Sequence, residues 1–252
     1  MMTTAKKMLM AALAAGLMTT GLAVAQPKTL KVGSTPTGAP FTFLDTKTNK
    51  IEGLMVDVVT AVGKEAGFGV QIEPMQFSTL ISSLTSSRID LISAAMLITP
   101  ERLKVINFSN KVYTYGEGVV TPKSDTKEYV TWDDMKGKVI GVQVGTAYVE
   151  PLQKSGKFKE VKLYDTTADL MRDANSGRID LGMLDYPIAV HAVSQGQFPN
   201  LRVLKSYKPT LSNSIGIGAR KDDAQLMTKI NAALEKLSAD GTINNLIKKR
   251  GL

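Results

Sequence analysis

Two stretches of the chain repeat one pattern of apolar and polar positions. Leu30-Lys31-Val32-Gly33 is matched by Lys138-Val139-Ile140-Gly141, each an apolar-centred run closed by glycine, which predicts a strand ending in a turn. Downstream, Leu80, Ile81 and Leu84 in one copy, and Ala168, Leu170, Met171 and Ala174 in the other, fall on one face of a 3.6-residue repeat. A helix is predicted in each. Both helices lead into the same motif, Ser87-Arg88-Ile89-Asp90-Leu91 and Gly177-Arg178-Ile179-Asp180-Leu181, where Ile-Asp-Leu opens another strand. The same elements in the same order twice predict two related α/β lobes, each built on a mostly parallel sheet.

Between the copies, Phe108-Ser109 and Tyr113-Thr114-Tyr115-Gly116 lead into a strand at Val119-Val120. A later run, Ile215-Gly216-Ile217-Gly218, reads as a strand before a helix capped by Asp222 or Asp223, whose Leu226, Ile230, Leu234 and Leu237 form an apolar stripe. Asp240-Gly241-Thr242 ends that helix and starts a short last one. Trp132-Asp133-Asp134 reads as one more helix start. The simplest topology crosses from lobe one to lobe two near residues 113–117 and back near 211–214. Lobe one then comprises residues 26–115 with 212–252, lobe two 116–211, and the two crossings form a hinge.

The first residues add a destination. Lys6 and Lys7 precede an apolar run from Met8 to Met18, and Ala23-Val24-Ala25 supplies the small residues of a cleavage site. Residues 1–25 therefore read as a secretory signal peptide cut after Ala25, with the mature protein in the periplasm. Of 31 basic and 23 acidic residues, only Lys6 and Lys7 lie in that leader, so the mature charge falls from +8 to +6. The lysines are scattered, without interleaved aromatics, and read as solubility; nucleic acid is not an expected partner. With no cysteine and a single histidine, His191, disulfides, thiol nucleophiles and transition-metal clusters are not expected. His191 follows Ile188-Ala189-Val190 and reads as a packing or surface residue. No phosphate loop or dinucleotide fingerprint occurs, and no cofactor is expected.

Open α/β sheets bind ligands at the carboxyl ends of their strands. In lobe one that is the segment after Leu91-Ile92-Ser93, where Thr99 suits an N-cap and Pro100 the first helical position. Arg102 then sits in the first turn, able to grip a carboxylate with two parallel hydrogen bonds.

The order Ala39-Pro40-Phe41, Glu52-Gly53, Arg88-Ile89-Asp90, Ile98-Thr99-Pro100-Glu101-Arg102, Gly145-Thr146, Arg178-Ile179-Asp180, Asp185 and Asp240-Gly241-Thr242 resembles the extracellular solute-binding proteins of polar amino acid ABC importers. The resemblance covers nearly the whole mature chain. It implies two Rossmann-like lobes with a two-crossing hinge, the type II periplasmic binding protein fold. It also implies a monomer that binds an amino acid or derivative and delivers it to the permease subunits of an ABC importer. Carried over residue by residue, Arg102 would hold the ligand carboxylate with backbone N–H groups at Leu97 and Ala147. Asp185 would accept its ammonium, Phe77 would face its side chain, and Thr35, Gly38, Ala95, Gln143 and Thr146 would line the pocket.

Departures from the family pattern bear on the ligand. Gly38 stands where a second aromatic is expected, Leu97, Ala94 and Ala95 supply no hydroxyl, and Thr35 and Met55 occupy positions that carry acids for cationic side chains. A wider, more apolar pocket follows, with neutral or bulky ligands favoured over basic amino acids. The same resemblance extends to periplasmic dehydratases of cyclic carboxylates, which would need a buried acid to protonate a leaving hydroxyl. Asp185 stands where a binder needs it and no further acid is evident, so a non-catalytic protein is expected.

Overall fold

The computed structural model describes residues 28–252; the expected signal peptide and its cleavage point lie outside the described residues. Two five-stranded sheets share one strand order. The first runs Gly69–Pro74, Thr29–Ser34, Leu91–Ile92, Gly218–Arg220, Ile106–Phe108. The second runs Glu160–Tyr164, Val139–Gln143, Leu181–Asp185, Glu117–Pro122, Leu201–Val203. In each, three strands are parallel and the last two run antiparallel to their neighbours. This is the two-lobed α/β architecture of the type II binding proteins.

The repeated motif has a physical job that both lobes share. Asp90 pairs with the backbone of Lys31, its amide donating to the Lys31 carbonyl at 2.8 Å and its carboxylate accepting from the Lys31 amide at 3.0 Å. Asp180 repeats both bonds with Val139, at 3.1 and 2.8 Å. The isoleucine before each aspartate closes over the glycine of the first strand. A Cβ on Gly33 would lie 2.6 Å from the Ile89 side chain, and one on Gly141 equally close to that of Ile179. Any larger residue would have to push the isoleucine tip aside, which accounts for the glycine that ends each strand run.

A ribbon joins the lobes. Tyr113–Tyr115 pairs antiparallel with Asn213–Ile215, Asn213 opposite Tyr115 and Ile215 opposite Tyr113. Glu117, the first residue of the strand entering sheet two, is wholly buried and clamps the returning segment. Its Oε1 accepts from the Tyr207 hydroxyl and the Thr210 amide, each at 2.7 Å, and from the Thr210 hydroxyl at 3.1 Å; its Oε2 accepts from the Leu211 amide at 2.9 Å.

The helices follow their apolar stripes with two departures. Ala224–Ala239 buries Met227, Ile230, Ala233, Leu234 and Leu237, but its N-cap Asp223 makes no side-chain cap bond. Residues 132–134 form turns, not a helix, because the Asp134 carboxylate draws the Val130 and Thr131 amides back onto itself. Residues 215–218 are not one strand either: Asn213–Ile215 belongs to the ribbon and Gly218–Arg220 to sheet one.

Candidate functional site

The carboxyl ends of the parallel strands in both sheets face one narrow cavity. Thr35, Gly38, Phe77, Ala95, Leu97 and Arg102 line it from one side, and Gln143, Thr146, Ala147 and Asp185 from the other. The structure thus brings all ten expected positions to one place.

Arg102 is fixed by its helix start. The helix Pro100–Val105 begins behind Thr99, whose hydroxyl accepts from the Arg102 amide at 3.3 Å. The guanidinium is buried, with Nη1 donating to the Leu97 carbonyl at 2.7 Å and Nη2 to the Gly145 carbonyl at 2.9 Å. Its carbon lies 5.6 Å from the centroid of the Phe77 ring, within cation–π range. Burial lowers its pKa, opposed by Tyr115 and Asp185. From so high a starting value the group stays charged at neutral pH.

Asp185 ends the strand Leu181–Asp185. The Tyr148 hydroxyl donates to its Oδ1 at 2.6 Å, and the Tyr115 hydroxyl lies 2.8 Å from its Oδ2. Burial pushes the carboxyl up to about 6, although both tyrosines and Arg102 pull the other way. The residue keeps partial exposure because it borders the cavity. The same burial holds both phenols well above their usual range.

Sequence reasoning missed both tyrosines. Tyr115 had a usable signal in the alternation Tyr113-Thr114-Tyr115, which puts two aromatic rings on one strand face. Those rings pack with Phe41, the Phe41 and Tyr115 centroids 5.3 Å apart. Tyr148 had none beyond following Ala147.

Smaller groups hold the walls. The Thr35 hydroxyl bonds that of Thr42 at 2.8 Å, Gln143 Nε2 donates to the Asp165 carbonyl at 3.0 Å, and the Thr146 hydroxyl donates to the Gln143 carbonyl at 2.8 Å. Across the cleft the Thr167 hydroxyl donates to the Thr37 carbonyl at 2.5 Å. A Cβ on Gly145 would come within 2.9 Å of Ser78 Cα, so the two sides are in contact there as well.

Two expectations about the pocket change. Gly38 leaves no open wall: a Cβ there would meet Thr42, Ile188 and Thr35 atoms at 3.4–3.5 Å, with Ile188 reaching over from the helix Tyr186–Ser194. Met55 does not face the site at all; it is fully buried in the core of the helix Leu54–Ala66. His191, half-buried and with its pKa lowered by burial, is not among the residues lining the cavity.

The profile of the bacterial extracellular solute-binding proteins, family 3, matches residues 30–250. The putative ABC transporter arginine-binding protein 2 of Escherichia coli is 30% identical over 247 residues, 97% of this chain and 98% of that one. Among solved structures, an ancestral arginine-binding protein bound to glutamine aligns with a TM-score of 0.81 at 32% identity, covering 88% of this chain and 97% of that one. The ancestral amino acid-binding protein AncCDT-1, a precursor of cyclohexadienyl dehydratase, aligns with a TM-score of 0.79 at 27% identity, covering 88% and 95%.

Proposed function

Since the chain belongs to the bacterial extracellular solute-binding proteins, family 3, we propose that it binds an amino acid or amino acid-like carboxylate between its lobes and delivers it, as a periplasmic monomer, to the permease of an ABC importer. One observation carries this reading. A buried guanidinium on one lobe and a partly buried carboxyl on the other border one cavity, a complement to a zwitterionic head group. The carboxylate of such a ligand takes the place of the Leu97 and Gly145 carbonyls on Arg102, and its ammonium meets Asp185. Residues 26–115 with 212–252 and residues 116–211 act as the two rigid parts, with the ribbon as their hinge.

Neutral side chains are favoured over basic ones. Among the residues lining the cavity, Asp185 is the one carboxylate, and the head group uses it. A lysine or arginine side chain buried here gives up its hydration without a partner, at a cost of several kcal/mol. The similar Escherichia coli protein is named for arginine, and the ancestral arginine-binding protein was solved with glutamine, so both ligand classes belong in the test. A thermal-shift screen followed by calorimetry decides it: stronger binding of glutamine or larger neutral amino acids than of arginine and lysine is expected. Submicromolar arginine with millimolar neutral ligands would overturn the preference.

A second reading rests on Asp185. A carboxyl raised to about 6 beside a carboxylate-gripping arginine is also what a dehydratase needs as general acid. Incubation with hydroxylated cyclic carboxylates tests it. Turnover that disappears in Asp185→Asn would favour the enzyme, and tight amino acid binding without turnover would favour the carrier.

A further inference from the structure

Counting protons in the cleft leads past the head-group assignment. Three short oxygen–oxygen contacts run in a chain: the Ala95 carbonyl to the Tyr115 hydroxyl at 2.7 Å, that hydroxyl to Asp185 Oδ2 at 2.8 Å, and Asp185 Oδ1 to the Tyr148 hydroxyl at 2.6 Å. Each contact needs one hydrogen. The Ala95 carbonyl has none, and the two phenols supply one each. Tyr115 can give its hydrogen to Ala95 or to Asp185, not both. With two protons one buried contact is left as bare oxygen against oxygen, a costly arrangement away from water.

The neighbouring strand points the same way. Glu117 stands directly opposite Asp185 in the antiparallel pair, so the two carboxyl side chains leave the sheet on one side. Every contact Glu117 makes is with a donor: the Tyr207 and Thr210 hydroxyls and the Thr210 and Leu211 amides. Two amides and two hydroxyls converging on its oxygens are the partners of a carboxylate. A second buried negative charge beside it is disfavoured. Among the described residues the cation facing Asp185 is Arg102, already engaged by two carbonyls.

We propose that in the ligand-free cleft, under mildly acidic conditions, Asp185 is held as a neutral carboxylic acid that donates its proton to Tyr115, while Tyr115 donates to the Ala95 carbonyl and Tyr148 to the other Asp185 oxygen. Three protons then fill three contacts. Where the cleft takes a zwitterion, as proposed above, the ligand ammonium displaces this proton, and uptake is coupled to proton release. The burial that pushes the Asp185 carboxyl up agrees with the geometry.

The test needs no ligand, so its failure and the failure of the proposed function are told apart. In 13C NMR of the mature protein labelled at aspartate carboxyls, one resonance should titrate near pH 6, well above the ordinary midpoint of about 4, and should be missing from Asp185→Asn. Asparagine reproduces all three contacts without a titrating proton, donating through its amide and accepting through its oxygen. A folded-state pKa above the unfolded value means the folded protein binds the proton more tightly. Stability from this group is therefore fullest below about pH 4 and is lost as pH rises through about 6. The Tm of Asp185→Asn should rise relative to wild type as pH goes from about 5 to about 8. An Asp185 carboxyl that titrates near 4 would overturn the proposal, as would a Tm difference that does not change with pH. The wild-type titration decides alone should the variant not fold.

Discussion

Arg102 and Gly145 meet across the cleft, the guanidinium Nη2 donating to the glycine carbonyl at 2.9 Å. The bond ties the lobe that carries the helix Pro100–Val105 to the loop after the strand Val139–Gln143. It uses the same face of the arginine that a carboxylate would use. The bond across the cleft and the proposed head-group site therefore share one side chain.

Replacing that side chain separates the two roles. Arg102→Ala is expected to lose roughly 3–5 kcal/mol of ligand affinity, the range for stripping one partner from a desolvated charge pair. Calorimetry on the folded variant measures it, with circular dichroism as the check on folding. Near-normal affinity would remove Arg102 from the site.

The Thr167–Thr37 bond makes a second, independent tie. Thr167→Val keeps the shape and removes the hydroxyl. The ligand-free variant is expected to show a larger radius of gyration by small-angle scattering than wild type, with the difference closing at saturating ligand. An unchanged radius would mean that this contact does not hold the lobes.

Glu117 is expected to be the costliest single site in the ribbon. Glu117→Ala leaves the Tyr207 and Thr210 hydroxyls and two backbone amides without their acceptor, a loss on the order of 3–5 kcal/mol. Urea denaturation measures it. A loss under about 1 kcal/mol would show that water replaces the carboxylate freely.

Acid stability has a separate source. The Tyr164 hydroxyl, Lys162 and Arg178 hold the Asp173 carboxyl down to about 2, and 15% of its side chain is exposed. Its folded pKa lies below its unfolded value, so its contribution is present above about pH 4 and is lost as pH falls through about 2. Asp173→Asn is expected to cost about 1–2 kcal/mol at neutral pH after allowance for screening. The cost should vanish near pH 2, as followed by thermal denaturation across that range.

Ligand affinity carries a pH signature of its own if Asp185 rests protonated. Between about pH 4 and about pH 6, the affinity of a zwitterionic ligand should rise close to tenfold per unit and then level off, one proton being released on binding. Calorimetry in buffers of differing ionisation enthalpy reads the proton count directly.

The duplicated motif was legible because its residues serve the backbone. Asp90 and Asp180 extend strand pairing, and Ile89 and Ile179 need glycine beneath them, so local chemistry writes the fold into short sequence. Arg102 was legible for a similar reason, since Thr99 and Pro100 announce its helix. Tyr115 and Tyr148 were not. They reach Asp185 from 70 and 37 residues away in the chain, and no local pattern encodes which aspartate a phenol will meet. The wall at Gly38 was misjudged for the same reason: Ile188, which closes it, belongs to the other lobe.

Because Glu117 opens its strand at the ribbon and stands opposite Asp185, the floor of the cleft lies beside the axle of the proposed lobe rotation, while Thr167–Thr37 and Gly145–Ser78 close the cleft away from that pair. A door hung this way opens wide at the latch and hardly at all at the hinge post. A small angular change would free the rim for passage while Tyr115 and Asp185 stay together. If the lobes rotate as proposed, a ligand would dock first on a floor that scarcely moves, and the far edge would swing shut over it.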